Sequence, residues 1–333
     1  MTKVKATHDL HDGRAGSLIM QALGDAIGFI AEGYDPKVCA PYAREVFLGS
    51  GPPQYFGQYS DDTQLARELA LSLTTKHPAK EFARRLAALI ADERNVIGYG
   101  PTTLAAAHKL IAGARWDEAA APPPNASNGA AMRAGPVGFL NADDDELIRI
   151  ADEQARITHA DMRARAAAIL VAVVVADAIR CGPTTADQPW FDRLAKTVES
   201  YDALLASGVR KMPDWLNEDP ATVCKEITAW SAPPTGALHP FSRWDGISPF
   251  ATPSVLYALF AYSRAPNDPE EVLHIAVAVG GDVDTVGAMA GAMVGAAVGL
   301  DGLTPRLAKM AGHLNDQGAF GVDDLIEIAR AVK

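Results

Sequence analysis

Cysteine is scarce and scattered. Cys39, Cys181 and Cys224 lie far apart with no Cys-x-x-Cys pair, so neither a disulfide framework nor a zinc ribbon is supported. Basic residues are outnumbered, 30 Lys and Arg against 41 Asp and Glu, which leaves a net charge of −11. That balance argues against nucleic acid as the partner, because a phosphate backbone demands basic patches. Met1 to Gly13 carries charges and histidines but no apolar core, so no secretory signal is read and a cytoplasmic location is the default expectation. Membrane-length apolar runs are missing too. Ala166–Ala176 is only eleven residues, and Val286–Leu300 is fifteen uncharged residues closely preceded by Asp282 and Asp284. Strand-like alternation of apolar and polar residues is nearly absent.

What remains is helical. Leu18, Ile19, Ala22, Leu23, Ala26, Ile27 and Ile30 form one helix stripe. Similar patterns run through Leu65–Leu73, Phe82–Ile90, Leu104–Ile111, Ala164–Ile179, Val255–Tyr262, Val272–Val279 and Val286–Val298. Pro and Gly clusters mark loops at Gly49–Gly57, Ala121–Asn128 and Ser231–Pro253, none of which reads as an interdomain linker. The expectation is an all-α, compact multi-helix protein: a single domain over residues 1–333, with 1–12 as a flexible N-terminal extension, and monomeric. Gly287, Gly291, Gly295 and Gly299 recur every fourth residue. Each glycine weakens an isolated helix by about 1 kcal/mol relative to alanine. Close packing against another helix or a site must compensate.

Two acidic stretches carry the chemistry. Ser60-Asp61-Asp62-Thr63 and Gly280-Gly281-Asp282-Val283-Asp284-Thr285 each open a helical pattern. Either one alone also reads as an N-cap with acids complementing the helix dipole. Together they supply four carboxylates and several hydroxyls, all hard oxygen donors of the kind magnesium prefers. Zinc is disfavoured because neither stretch offers His or Cys. Asp25, Gly28 and Glu32 fall at i, i+3 and i+7, on a helix face away from the apolar stripe. Asp25 alone reads as part of a solvated face, whereas Glu32 is a candidate ligand or general base beside the aspartate pairs.

With those residues in hand, the chain resembles an ADP-ribosylglycohydrolase. The matching pieces are Gly24-Asp25-Ala26-Ile27-Gly28 with Glu32, Ser60-Asp61-Asp62-Thr63 and Gly98-Tyr99-Gly100. They continue through Ser127-Asn128-Gly129-Ala130-Ala131-Met132-Arg133, Thr158-His159-Ala160 and Gly280-Gly281-Asp282-Val283-Asp284-Thr285, covering roughly residues 13 to 300. The resemblance implies an all-helical fold with a binuclear magnesium centre at the bottom of an ADP-ribose cleft, manganese being able to substitute. It implies Ser60, Asp61, Asp62, Asp282, Asp284 and Thr285 as metal ligands, and Glu32, Asp61 and Asp282 as catalytic residues. Glu32 would lie on a flexible segment beside the metals. Gly98, Tyr99, Gly100, Asn125, Ser127, Asn128, Gly129, His159 and Ile247 would contact substrate. Gly246-Ile247-Ser248-Pro249-Phe250, with Pro253, Leu256 and Tyr257, resembles the branch acting on serine-linked ADP-ribose rather than the arginine-specific one. Two departures stand out. Ser60 replaces a common threonine, and Ala126 sits where the serine-directed branch often has an aromatic, leaving Phe56, Tyr99 and Phe250 as candidates for adenine stacking.

The expected reaction is hydrolysis at C1″ of ADP-ribose, releasing it from a modified protein or a small conjugate. A two-metal phosphohydrolase and a silent ADP-ribose binder are the alternatives.

Overall fold

The computed structural model describes residues 10–183, 186–231 and 244–333. Among these residues it contains fifteen α-helices and no β-strand. They are α1 (Leu10–Phe29), α2 (Pro36–Leu48), α3 (Asp61–Leu73), α4 (Pro78–Ile90), α5 (Pro101–Ile111), α6 (Asp144–Ala155) and α7 (Met162–Cys181). After these come α8 (Gln188–Val198), α9 (Ala203–Trp215), α10 (Pro220–Trp230), α11 (Ala251–Arg264) and α12 (Pro269–Ala278). The chain closes with α13 (Val283–Val298), α14 (Pro305–Ala311) and α15 (Val322–Ala331).

Local chemistry explains where most of them start. Asp35, Asp143, Asp161, Asp187, Asp202, Asp219 and Asp268 each accept a backbone N–H at the head of a helix. Proline follows directly at Pro36, Pro220 and Pro269, where its missing N–H costs nothing. Part of the acidic surplus is therefore capping chemistry, carried by Asp143, Asp187, Asp219 and Asp268 at solvent-exposed positions.

Helix α1 begins at Leu10, inside the stretch expected to be an N-terminal extension. Asp12 is held in the fold, its Oδ1 accepting the Leu300 N–H at 3.0 Å; residues 1–9 lie outside the described ones. The helix is also more deeply set than one stripe predicts, since every residue from 13 to 28 is buried. It lies antiparallel to α13, and these two helices form the centre, with α7 and α11 packed against α13.

The glycine repeat explains this contact. A Cβ on Gly287 would stand 2.7 Å from the Gly24 carbonyl oxygen. One on Gly291 would collide with the Met20 carbonyl, and one on Gly295 with that of Gly16. The clash is reciprocal, because Cβ atoms on Gly16 and Gly24 would strike the Gly295 and Gly287 backbones. The two helices touch backbone to backbone over successive turns. At the end of that seam Gly28 meets the backbone of Asp284. The close packing therefore delivers the end of α1 to the start of α13, where the acidic residues lie. No helix among the described residues is long and apolar enough to cross a membrane.

Candidate metal and substrate site

Three chain segments meet at the floor of a cavity of about 340 Å³. The first turn of α3 brings Asp61 and Asp62, the first turn of α13 brings Asp282, Asp284 and Thr285, and the turn after α1 brings Glu32. Backbone bonds stitch these segments together. Gly33 N–H donates to Gly281 O (2.9 Å) and Gly281 N–H to Tyr34 O (2.8 Å). Ile247 N–H donates to Gly280 O (3.0 Å), and Asp282 N–H donates to Ile247 O (2.8 Å). The crossing is possible because Gly280 and Gly281 adopt φ of +76° and +88°, a region that side chains disfavour.

Oxygen atoms of Glu32, Asp282 and Asp284 lie within 4.8 Å of one another. Thr285 Oγ1 donates to Asp62 Oδ1 at 3.3 Å, while Asp62 Oδ2 is buried with no hydrogen-bond partner. Burial, reinforced by neighbouring carboxylates, pushes Asp61, Asp62 and Asp284 well above the ordinary carboxylate range. Burial drives Asp282 up to about 7 and raises Glu32 as well. Like charges gathered in a poorly solvated space demand a cation or protons. An all-oxygen donor set with an orphaned carboxylate oxygen fits a hard divalent ion. The residues present therefore match magnesium or manganese.

The remaining predicted residues divide. Gly98, Gly100, Asn125, Ser127, Asn128 and Gly129 line the cavity. Asn128 is tied to the acidic floor, its Nδ2 donating to Asp282 Oδ2 (2.5 Å) and Ser254 Oγ (2.9 Å). Four expected residues do not line it. Ser60 is fully buried, its hydroxyl accepting the Asp62 N–H at 3.3 Å as the cap of α3. Tyr99 turns its ring inward and its hydroxyl has no partner. Ile247 is buried and acts through its backbone on Gly280 and Asp282. His159 stands behind the wall, its Nε2 2.7 Å from Ser127 Oγ, and a Cβ on Gly129 would lie 3.2 Å from its Cε1. A side chain at position 129 would therefore have to push the His159 ring back by a few tenths of an ångström.

Of the residues that escaped the sequence reading, among them the cavity-lining Pro101, Thr102 and Thr103, two bear most on how the site is built. Asp25, read as part of a solvated face, is completely buried. It accepts hydrogen bonds from Ser60 N (2.9 Å), Thr63 N (3.0 Å) and Thr63 Oγ1 (2.6 Å), so it fixes the first turn of α3 from beneath. Its helical spacing with Glu32 was the available signal. Trp244 is the one aromatic among the described residues that lines the cavity, whereas Phe56, Tyr99 and Phe250 do not. Its sequence neighbourhood, the Ser231–Pro253 stretch read as a loop, carried no pattern to mark it, and residues 232–243 of that stretch lie outside the described ones.

The ADP-ribosylglycohydrolase family model matches residues 6–332. An uncharacterized protein of Archaeoglobus fulgidus is 31% identical over 285 residues, covering 83% of this chain and 84% of its own. ADP-ribosylhydrolase ARH3 of Gallus gallus is 26% identical over 324 residues, covering 87% of this chain and 86% of its own. A solved chain described as an ADP-ribosylglycohydrolase-related protein complex superposes with a TM-score of 0.67 at 24% identity, covering 97% of this chain and 98% of that one. That last likeness concerns the fold alone. A family match over almost the whole length and a relative at 31% identity place this chain in the ADP-ribosylglycohydrolase family.

Proposed function

We propose that the protein is a magnesium-dependent ADP-ribosyl hydrolase that cleaves the glycosidic bond at C1″ of ADP-ribose. One observation carries this reading: five carboxylates from three separate segments converge on one cavity floor, and Asp62 Oδ2 there has no protein partner. Asp61, Asp62, Asp282, Asp284 and Thr285 would hold two ions, with Glu32 beside them. Bound magnesium would neutralise the cluster and hold the distal ribose by its hydroxyl oxygens.

The protein's own groups do the rest. Asn128 fixes the Asp282 carboxylate through its amide. Ser127, Asn128 and Gly129 line the same cavity beside the acidic floor and would support the diphosphate side. Glu32 is the least buried of the five floor carboxylates, and its raised affinity for a proton suits a group that takes one from an attacking water. In the overall step a water oxygen bonds to C1″, the bond to the acceptor breaks, and the acceptor atom leaves with a proton. The 246–250 segment resembles the branch acting on serine-linked ADP-ribose, and on that resemblance serine-linked substrates are proposed over arginine-linked ones.

The test is one panel of serine-, arginine- and O-acetyl-linked ADP-ribose, with magnesium or EDTA. Release of ADP-ribose is expected with magnesium, fastest from the serine linkage, and none with EDTA. Asp61→Ala and Asp284→Ala should each lower kcat/KM about a hundredfold or more. Unchanged turnover in either variant would overturn the metal assignment. Phosphate release without ADP-ribose would instead identify a phosphohydrolase, and binding without cleavage a silent family member.

A further inference from the structure

Behind the Ser127–Gly129 wall runs a line of hydrogen bonds that the metal site does not use. It starts at Arg133, which is completely buried. Among the described residues no carboxylate lies within ion-pair distance of this guanidinium. Its Nε donates to Gln154 Oε1 (2.9 Å), and its Nη2 donates to Gln154 O (3.1 Å) and Thr158 Oγ1 (2.7 Å). Thr158 Oγ1 is in turn 2.7 Å from His159 Nδ1, and His159 Nε2 is 2.7 Å from Ser127 Oγ.

Counting protons fixes the direction of this line. A guanidinium only donates, so Thr158 Oγ1 accepts from Arg133. The buried Thr158 hydroxyl proton then needs an acceptor, and among the described residues only His159 Nδ1 is within reach. If Nδ1 carried the proton instead, Thr158 would accept twice and leave its own O–H buried without a partner, which is costly. Nδ1 is therefore the acceptor, and the ring proton sits on Nε2, which donates to Ser127 Oγ. The Ser127 oxygen is thereby occupied as an acceptor on its buried side. Its own hydroxyl proton is left for whatever fills the cavity that Ser127 lines.

We propose that Arg133 and Thr158 are positioning residues that fix His159 as its Nε2-protonated tautomer, making the Ser127 hydroxyl a committed donor that selects an anionic oxygen of the ligand. The ring itself stays neutral, since burial and then the charge of Arg133 push His159 down to about 3. A donor chain anchored on a buried positive charge favours a phosphate oxygen over a sugar hydroxyl, because hydrogen bonds to a charged acceptor are the stronger ones. The identity of that ligand rests on the ADP-ribose reading; the tautomer does not.

The experiment uses the full-length protein and its Thr158→Val, Thr158→Ser and Ser127→Ala variants. Long-range nitrogen–proton NMR of the histidine ring should show His159 protonated at Nε2 in the wild type and in Thr158→Ser, and a tautomer mixture in the near-isosteric Thr158→Val. Calorimetry with free ADP-ribose should show Kd raised about tenfold by Thr158→Val and by Ser127→Ala, with Thr158→Ser restoring it, the effect of losing a charge-assisted hydrogen bond. Nδ1 protonation in the wild type, or an unchanged Kd in Ser127→Ala, would overturn the proposal. If the wild type bound no ADP-ribose, the functional reading would fall and the ring spectrum alone would decide the relay.

Discussion

Asp25 never reaches the cavity, yet it determines where one wall of it stands. Its carboxylate collects the Ser60 and Thr63 backbone N–H groups and the Thr63 hydroxyl, so α3 starts where Asp61 and Asp62 can face Asp282 and Asp284. Burial pushes this carboxyl up to about 6, against the pull of those hydrogen bonds. Replacing it with asparagine keeps the shape but turns an NH₂ toward donors. Asp25→Asn should cost about 1–3 kcal/mol by urea denaturation, the penalty for a buried unpaired polar group. It should also weaken magnesium binding about tenfold or more in calorimetry, as expected when a group that orients ligands is lost. Loss of stability with intact magnesium affinity would limit Asp25 to a structural role.

At the scale of the element, the antiparallel α1 and α13 pair sets the register of the whole site. Glycine is used here for closeness rather than for flexibility. Met20 O faces Gly291, and a carbonyl inside a helix cannot give way as the end of a side chain can. Gly291→Ala gains about 1 kcal/mol in helix propensity but meets an overpacking cost of about 1–3 kcal/mol or more. A lower urea midpoint is therefore expected. Gly312→Ala is the control: its backbone is right-handed and the nearest atom to a new Cβ is 3.4 Å away, so the midpoint should hardly move. A midpoint raised by Gly291→Ala would refute the backbone contact.

For the molecule as a whole, the acidic floor links stability to pH and metal. Asp282 is raised to about 7 and its neighbours are raised too, while in the unfolded chain these groups titrate near about 4. Between those values the folded state binds protons that the unfolded state has released. The floor's own contribution to metal-free stability is therefore largest at low pH and is lost as pH rises from about 4 through about 7. On the magnesium-dependent function proposed above, the ion would bind the deprotonated form and offset the penalty. Without metal, Tm should fall between about pH 5 and about pH 8 across the window that Asp282 defines. The rise in Tm on adding magnesium should be larger at the higher pH. Equal magnesium shifts at both pH values would show that these carboxylates do not titrate as a metal-binding cluster.

The all-helical class, the Ser60 cap of α3, the two acidic motifs and the close packing at the glycine repeat were all legible in the sequence. Each depends on residues a few positions apart, and helical periodicity and capping are local physics. Which faces are covered, and by what, is not local. Asp25 sits on a polar helix face that α3 closes over, so a side chain that looked solvated is buried. His159 and Ile247 match motif positions, but the fold sets one behind Ser127 and uses the other through its backbone. Trp244 lines the cavity, and no periodicity in the surrounding sequence reveals it. Spacing along the chain specified which residues could act. Only long-range packing, in which segments hundreds of residues apart exclude water together, decided which of them reach the cavity and which hold those residues in place.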